Sequence, residues 1–195
     1  MPRRNVRKLT FRPPLPRRAI VWFPPFPTES AIEPFRARND PAAANLPAHV
    51  MLVFPFHTVL TPLQVASHVK KIVGNWPPLP ISIRDIEGLL DTFVLLMVRD
   101  RAEALTQLHD KLYTGVLAPF LRDDIAFQPH ITVGSVPYRT DPTAAEHNPA
   151  FDIMLEAASL QIRGEWQFVL RELAVITLPE VGASKIEHVV PLNFL

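Results

Sequence analysis

Apolar and polar positions alternate along this chain in short blocks, and each block predicts a short element. AIVWF, residues 19–23, reads as a first strand. TESAIEPFRAR then reads as a helix that Thr28 could cap and Pro34 shortens or kinks. HVMLVFPF, residues 49–56, predicts a second strand. The clearest helix comes next: Thr61 suits the N-cap, Pro62 the first helical position, and Val65, Ala66, Val69, Ile72 and Val73 repeat on one face up to Gly74. PISIRDIEGLLDTFVLLMV predicts two strands around a turn, with TFVLLMV the more buried. Asp100 with Glu103 has capping-box spacing ahead of Leu105, Leu108 and Leu112. IAFQPHITVGSV predicts a further strand. Another helix begins at Asp141–Pro142 or at Asn148–Pro149, its inner face Phe151, Met154, Leu155 and Ala158. EWQFVL sets Trp166, Phe168 and Leu170 on one face, and KIEHVVPLNF closes the series as a last strand.

Seven or eight strands with three or four helices between them predict an α+β or mixed α/β sandwich. The order also contains an echo. A strand with His49 precedes the helix at 61–74, and a strand with His130 precedes the helix near 142–158, so the chain reads as two similar halves.

Composition narrows the chemistry. The 195 residues are 48% hydrophobic, enough for one sizeable core or two small lobes. The 22 prolines are spread out and mark turns, not a low-complexity tract. With no cysteine, disulfides, thiolate nucleophiles and sulfur-ligated metals are excluded. Six glycines form neither GxxxxGK nor GxGxxG, which argues against triphosphate hydrolysis and Rossmann binding. His57, His68, His109, His147 and His188 form no HExxH pattern or close ligand set, and His68 and His109 read as helix-surface or boundary residues.

Residues 1–18 hold seven arginines and lysines and no acid, which leaves the body a net charge of −6. This basic arm reads as a flexible, solvated leader that could also attract nucleic acid, whereas residues 19–195 read as a single domain. Residues 41–69 carry no formal charge, but four prolines and three histidines argue for a strand and an amphipathic helix instead of a membrane span. AIVWFPPF is too short and proline-broken for a secretory signal, so a cytoplasmic protein with no membrane association is expected.

FQPHITVG, residues 127–134, carries the candidate chemistry. In an extended strand Gln128, His130 and Thr132 project to one side and Ile131 and Val133 to the other. Taken alone, His130 reads more readily as an ordinary hydrogen-bonded histidine than as an anion ligand. PAHVMLVFPF places His49 and Met51 at the same spacing, also after a proline-containing turn. Two such strands side by side would set two imidazoles across one cleft. Tyr138 and Arg139 could stack on a base or touch phosphate, or lie in a solvated loop.

The pair PAHVMLVFPF and FQPHITVGSV resembles the two His-x-Thr/Ser-x motifs of the two-histidine phosphoesterase superfamily, which includes the 2′-5′ RNA ligase-like proteins. The likeness runs from about residue 19 to 195. It implies an α+β, bilobal, pseudo-two-fold fold: two antiparallel sheets, helices outside and a central groove. It also implies a metal-free site without cofactor, acting on 2′,3′-cyclic phosphates or 2′-5′ linkages of RNA or nucleotides. By the resemblance His49 and His130 are the catalytic pair and Thr132 a phosphate ligand. A monomer is the favoured expectation.

Acid–base chemistry suits this pair independently. Opening a cyclic phosphodiester needs one group to take a proton and another to return one, and imidazole, with an ordinary pKa of roughly 6.5, can hold either state near neutrality. The first motif departs from the pattern, because Met51 stands where Thr or Ser is expected. Without that hydroxyl donor the site is expected either to catalyse weakly or only to bind nucleotides or RNA ends, with Met51 packing on an apolar part of the ligand.

Overall fold

The structure is a computed structural model and describes residues 14–137 and 148–193. Eight strands and four helices follow in the order β1 Arg17–Trp22, α1 Ile32–Asn39, β2 Val50–His57, α2 Pro62–Val73, β3 Leu79–Leu89, β4 Phe93–Val98, α3 Ala102–Leu112, β5 His130–Ser135, α4 Pro149–Gln161, β6 Trp166–Leu170, β7 Glu172–Thr177 and β8 Lys185–Pro191. A 3₁₀ segment, Gly115–Phe120, follows α3.

The strands form two antiparallel four-stranded sheets, β2-β1-β7-β8 and β5-β4-β3-β6. The two motif strands, β2 and β5, are each an edge strand of their own sheet and lie against one another at the centre of the molecule. The helices cross over: α1, which follows β1, packs on β5, and α3, which follows β4, packs on β2. This exchange gives the expected bilobal, pseudo-two-fold arrangement.

Local chemistry accounts for the elements. Thr61 and Gln64 form a reciprocal capping box, Pro62 occupies the first turn, and Val65, Ala66, Val69 and Val73 are buried. Each such valine contributes roughly 1.5–3 kcal/mol on burial. α4 uses the Asn148–Pro149 start, with the Asn148 carboxamide oxygen accepting from the Ala150 N–H. The alternative start at Asp141–Pro142, like Tyr138, Arg139 and His147, lies outside the described residues.

Four expectations differ from what is found. Helix α1 starts at Ile32, beyond Thr28, so Pro34 falls in the first turn, where its missing N–H costs nothing. Asp100 does not cap α3: the N-cap is Arg101 in the left-handed region, and the Asp100 carboxylate bonds instead to Ser82 and Arg84 on β3. β5 begins only at His130, because Pro129 offers no N–H to a ladder and the Gln128 carbonyl is taken by the His130 ring. Finally, β1 starts two residues inside the basic arm. Arg18 is buried there, paired with Glu187 and donating to the Leu60 carbonyl.

Candidate functional site

His49 immediately precedes β2 and His130 opens β5, so facing edge strands bring the two imidazoles to one groove. Each ring is held the same way. The His49 Nδ1 lies 2.8 Å from the Pro47 carbonyl oxygen and the His130 Nδ1 lies 2.5 Å from that of Gln128, in both cases two residues back. A carbonyl oxygen only accepts, so Nδ1 carries the proton in each ring and the Nε2 lone pair is left available. Phe23 meets the His49 ring edge to face at 6.3 Å.

Burial pushes the His49 imidazolium down to about 4, assisted by the positive charge of Arg36 and the neighbouring His130, and opposed by Pro47 and Asp40. Burial also lowers His130, with the Gln128 carbonyl opposing. Both rings are therefore neutral at pH 7 in the free protein.

Two cavities meet at the histidines. One, of about 770 Å³, is lined by His49, His130 and Thr132 together with apolar side chains that include Phe54, Leu90 and Phe127. The other, of about 460 Å³, contains Arg17, Asn45, Ser135 and Ser184. His49, Met51, Phe93 and Thr132 line both and form the seam between them. The structure thus brings His49, Met51, His130 and Thr132 together in one groove. Thr58, too far along β2 to replace the missing hydroxyl, is buried and accepts from the Leu60 N–H.

Sequence patterning missed the residue that ties the site together. Arg36 on α1 is 1% exposed and donates to the Asp40 carboxylate, to Glu33 and to the backbone carbonyls of Leu46 and Thr132. Leu46 leads into the first motif and Thr132 belongs to the second, so one guanidinium spans both. Glu33 extends the network by accepting from the Ala48 N–H at 2.6 Å, next to His49. The pseudo-two-fold counterpart is His109 on α3. Its position reads as helix surface or boundary in the sequence, yet it is buried, bonds the Leu52 carbonyl of β2 at 2.8 Å and stacks on Phe127. A buried imidazole with such partners costs less than an unpaired carbonyl would. Among the described residues no group of three or more His, Cys, Asp or Glu side chains is placed to hold a metal ion.

Two sheets meeting along histidine-bearing edge strands are the bilobal α+β fold of the two-histidine phosphoesterases. Residues 24–177 match the family described as the 2′-5′ RNA ligase superfamily, and the chain belongs to it. A Bacillus licheniformis protein named only provisionally as a phosphoesterase is 31% identical over 116 residues, covering 58% of this chain and 68% of its own. A Geobacillus kaustophilus protein, also provisionally named a phosphoesterase, is 28% identical over 117 residues. That match spans 59% of this chain and 66% of the relative, just under two thirds of its length. Crystal structures of E. coli LigT share the fold. The complex with NADP+ has a TM-score of 0.57 at 17% identity, covering 93% of this chain and 100% of the other. The apo form has a TM-score of 0.57 at 18% identity, covering 92% and 98%. Among the described residues no helix is long and apolar enough to cross a membrane.

Proposed function

We propose that this chain is a phosphodiesterase that opens 2′,3′-cyclic phosphates or cleaves 2′-5′ linkages in nucleotides or RNA ends, with His49 and His130 moving the protons and no metal ion in the reaction. The reading is carried by the paired Nδ1–carbonyl bonds, which orient two like imidazoles in one groove. One Nε2 takes a proton from the attacking water while the other, protonated, returns one to the departing ribose oxygen. Thr132 supplies a hydroxyl donor to the non-bridging phosphate oxygens, whose growing charge raises the need for fixed dipoles. LigT structures in complex with NADP+ and 3′-AMP support a nucleotide-type ligand.

The test is turnover of 2′,3′-cyclic nucleotides in the presence of chelator. The productive form holds one proton across the pair. Because burial lowers both imidazoles, kcat/KM is expected to rise as pH falls from 7.5 and to peak between about 4 and 6.5. The same shifts lower stability in that window, since the unfolded chain takes up protons below 6.5 that the folded one refuses. Initial rates with the fold checked by circular dichroism separate the two effects. An optimum above pH 7.5, or activity lost with chelator, would sink the assignment.

Met51 favours a second reading, a binding module without turnover, since this side chain lines the seam where a hydroxyl donor would serve. Met51→Thr decides between them. If the site is catalytic, the added donor raises kcat by up to about 100-fold, the lower end of what one such donor supplies elsewhere. If the site only binds, the variant stays inactive while nucleotide affinity remains tight.

A further inference from the structure

The two cavities that meet at the histidines differ in chemistry. The larger is walled by Phe54, Leu90, Phe93, Leu95, Ile125 and Phe127. Its one carboxylate, Asp124, is held by both nitrogens of a two-pronged contact from Arg122 at 2.7 Å each. Among the described residues no Lys or Arg lines it. Leu90 is 74% exposed and, with Asp91, has positive φ in the β3–β4 turn. An apolar residue in the left-handed region costs on the order of 1 kcal/mol, and here it is presented at the cavity mouth.

Beside the neutral His49, the smaller cavity has two charged residues. Asp40 is neutralised by the buried Arg36 at 2.7 Å. Arg17 is exposed, and among the described residues no ion pair engages it. It is the single uncompensated formal charge lining either cavity among the described residues. Arg17 stands opposite His57 in the β1–β2 ladder, whereas Met51 stands opposite Val21. Counted along β1, four residues of strand, about 13 Å, separate Arg17 from the level of Met51, and six, about 20 Å, from that of His49 beside Val50, a span that a nucleotide sugar and the two side chains together can bridge.

We propose that the groove sorts the two sides of its ligand by charge. With one phosphate at the histidines, a position that rests on the function proposed above, an uncharged ring system occupies the larger arm and a second phosphate occupies the smaller arm at Arg17. A free guanidinium is suited to this, because its planar fork pairs phosphate with two parallel N–H donors. Among the described residues the larger arm has no Lys or Arg to compensate a phosphate, so a polynucleotide strand is not expected to leave by that route.

The probes are a nucleoside 3′-phosphate and the matching 3′,5′-bisphosphate, which a phosphodiesterase does not consume, bound to the whole chain in calorimetry at low salt. The bisphosphate is expected to bind about five- to tenfold tighter, with the preference shrinking as salt rises. In Arg17→Gln the ratio of affinities is expected to fall below about twofold. Equal affinities in the unaltered protein, or a preference that survives Arg17→Gln, would overturn the proposal. Turnover of cyclic nucleotides with no such preference refutes the charge-sorted groove and leaves the phosphodiesterase standing. A preference abolished by Arg17→Gln without turnover does the reverse.

Discussion

Replacing His130 with alanine is expected to lower kcat on 2′,3′-cyclic nucleotides by about 100- to 10,000-fold, the range that one positioned acid or base supplies. The ring opens on the groove and its Nδ1 is satisfied by its own strand entry, so its loss leaves no orphaned core group. Thermal unfolding should move little. The pH profile carries the sharper signature, because a pair sharing one proton gives two limbs and a single remaining histidine gives one. His130→Ala and His49→Ala should each reduce the profile to a single limb, and together they should cost little more than either alone, as for groups that act as a unit. Turnover that survives His130→Ala would remove the proposed mechanism.

Arg36→Met is expected to give the largest loss of stability, about 3–5 kcal/mol, since it leaves the Asp40 carboxylate buried and unpaired and strips the Leu46 and Thr132 carbonyls of a donor. Urea unfolding measures this directly. Stability alone does not separate a positioning role from a structural one. The double variant Arg36→Met, Asp40→Leu removes both charges, and part of the stability should return, because a buried pair can be replaced by apolar residues at small cost. Activity should not return, since nothing then ties the approach to His49 to the carbonyl of Thr132. The Arg36 charge also holds the His49 imidazolium down and outweighs the opposing Asp40, so the lower limb of the pH profile should move upward in the double variant. Full activity with an unshifted profile would show that Arg36 serves folding only.

The two histidines were legible because their signal is local and repeated. The two histidines recur 81 positions apart, each just after a proline and ahead of apolar residues, and period-2 alternation sets which side chains share a face. The helices at Thr61 and Asn148 were legible for the same reason, each carrying its own cap. Arg36 was not, because an arginine on a short helix normally reads as solvated, and its partners lie 10 and 96 residues away. The burial of His109 was not legible either, its acceptor being 57 residues distant. Asp100 had the spacing of a cap, but β3 offered its carboxylate better partners. Arg17 and Arg18 looked alike within a basic run, and only strand pairing separates the buried residue from the exposed one. The groove's division into an apolar and a charged arm depends on which loops meet, which no single stretch of sequence encodes.

The crossing of α1 onto β5 and of α3 onto β2 means that neither half of the chain contains a finished half-site. Each histidine-bearing strand is buttressed from behind by a helix that the opposite half supplies, and the guanidinium that holds the Thr132 carbonyl arrives from residues laid down almost a hundred positions earlier. Assembly of the groove is therefore contingent on the whole molecule. A chain ending before β5 has neither a second imidazole in the groove nor the backbone that its own first helix is shaped to grip, so the groove exists only in the completed fold.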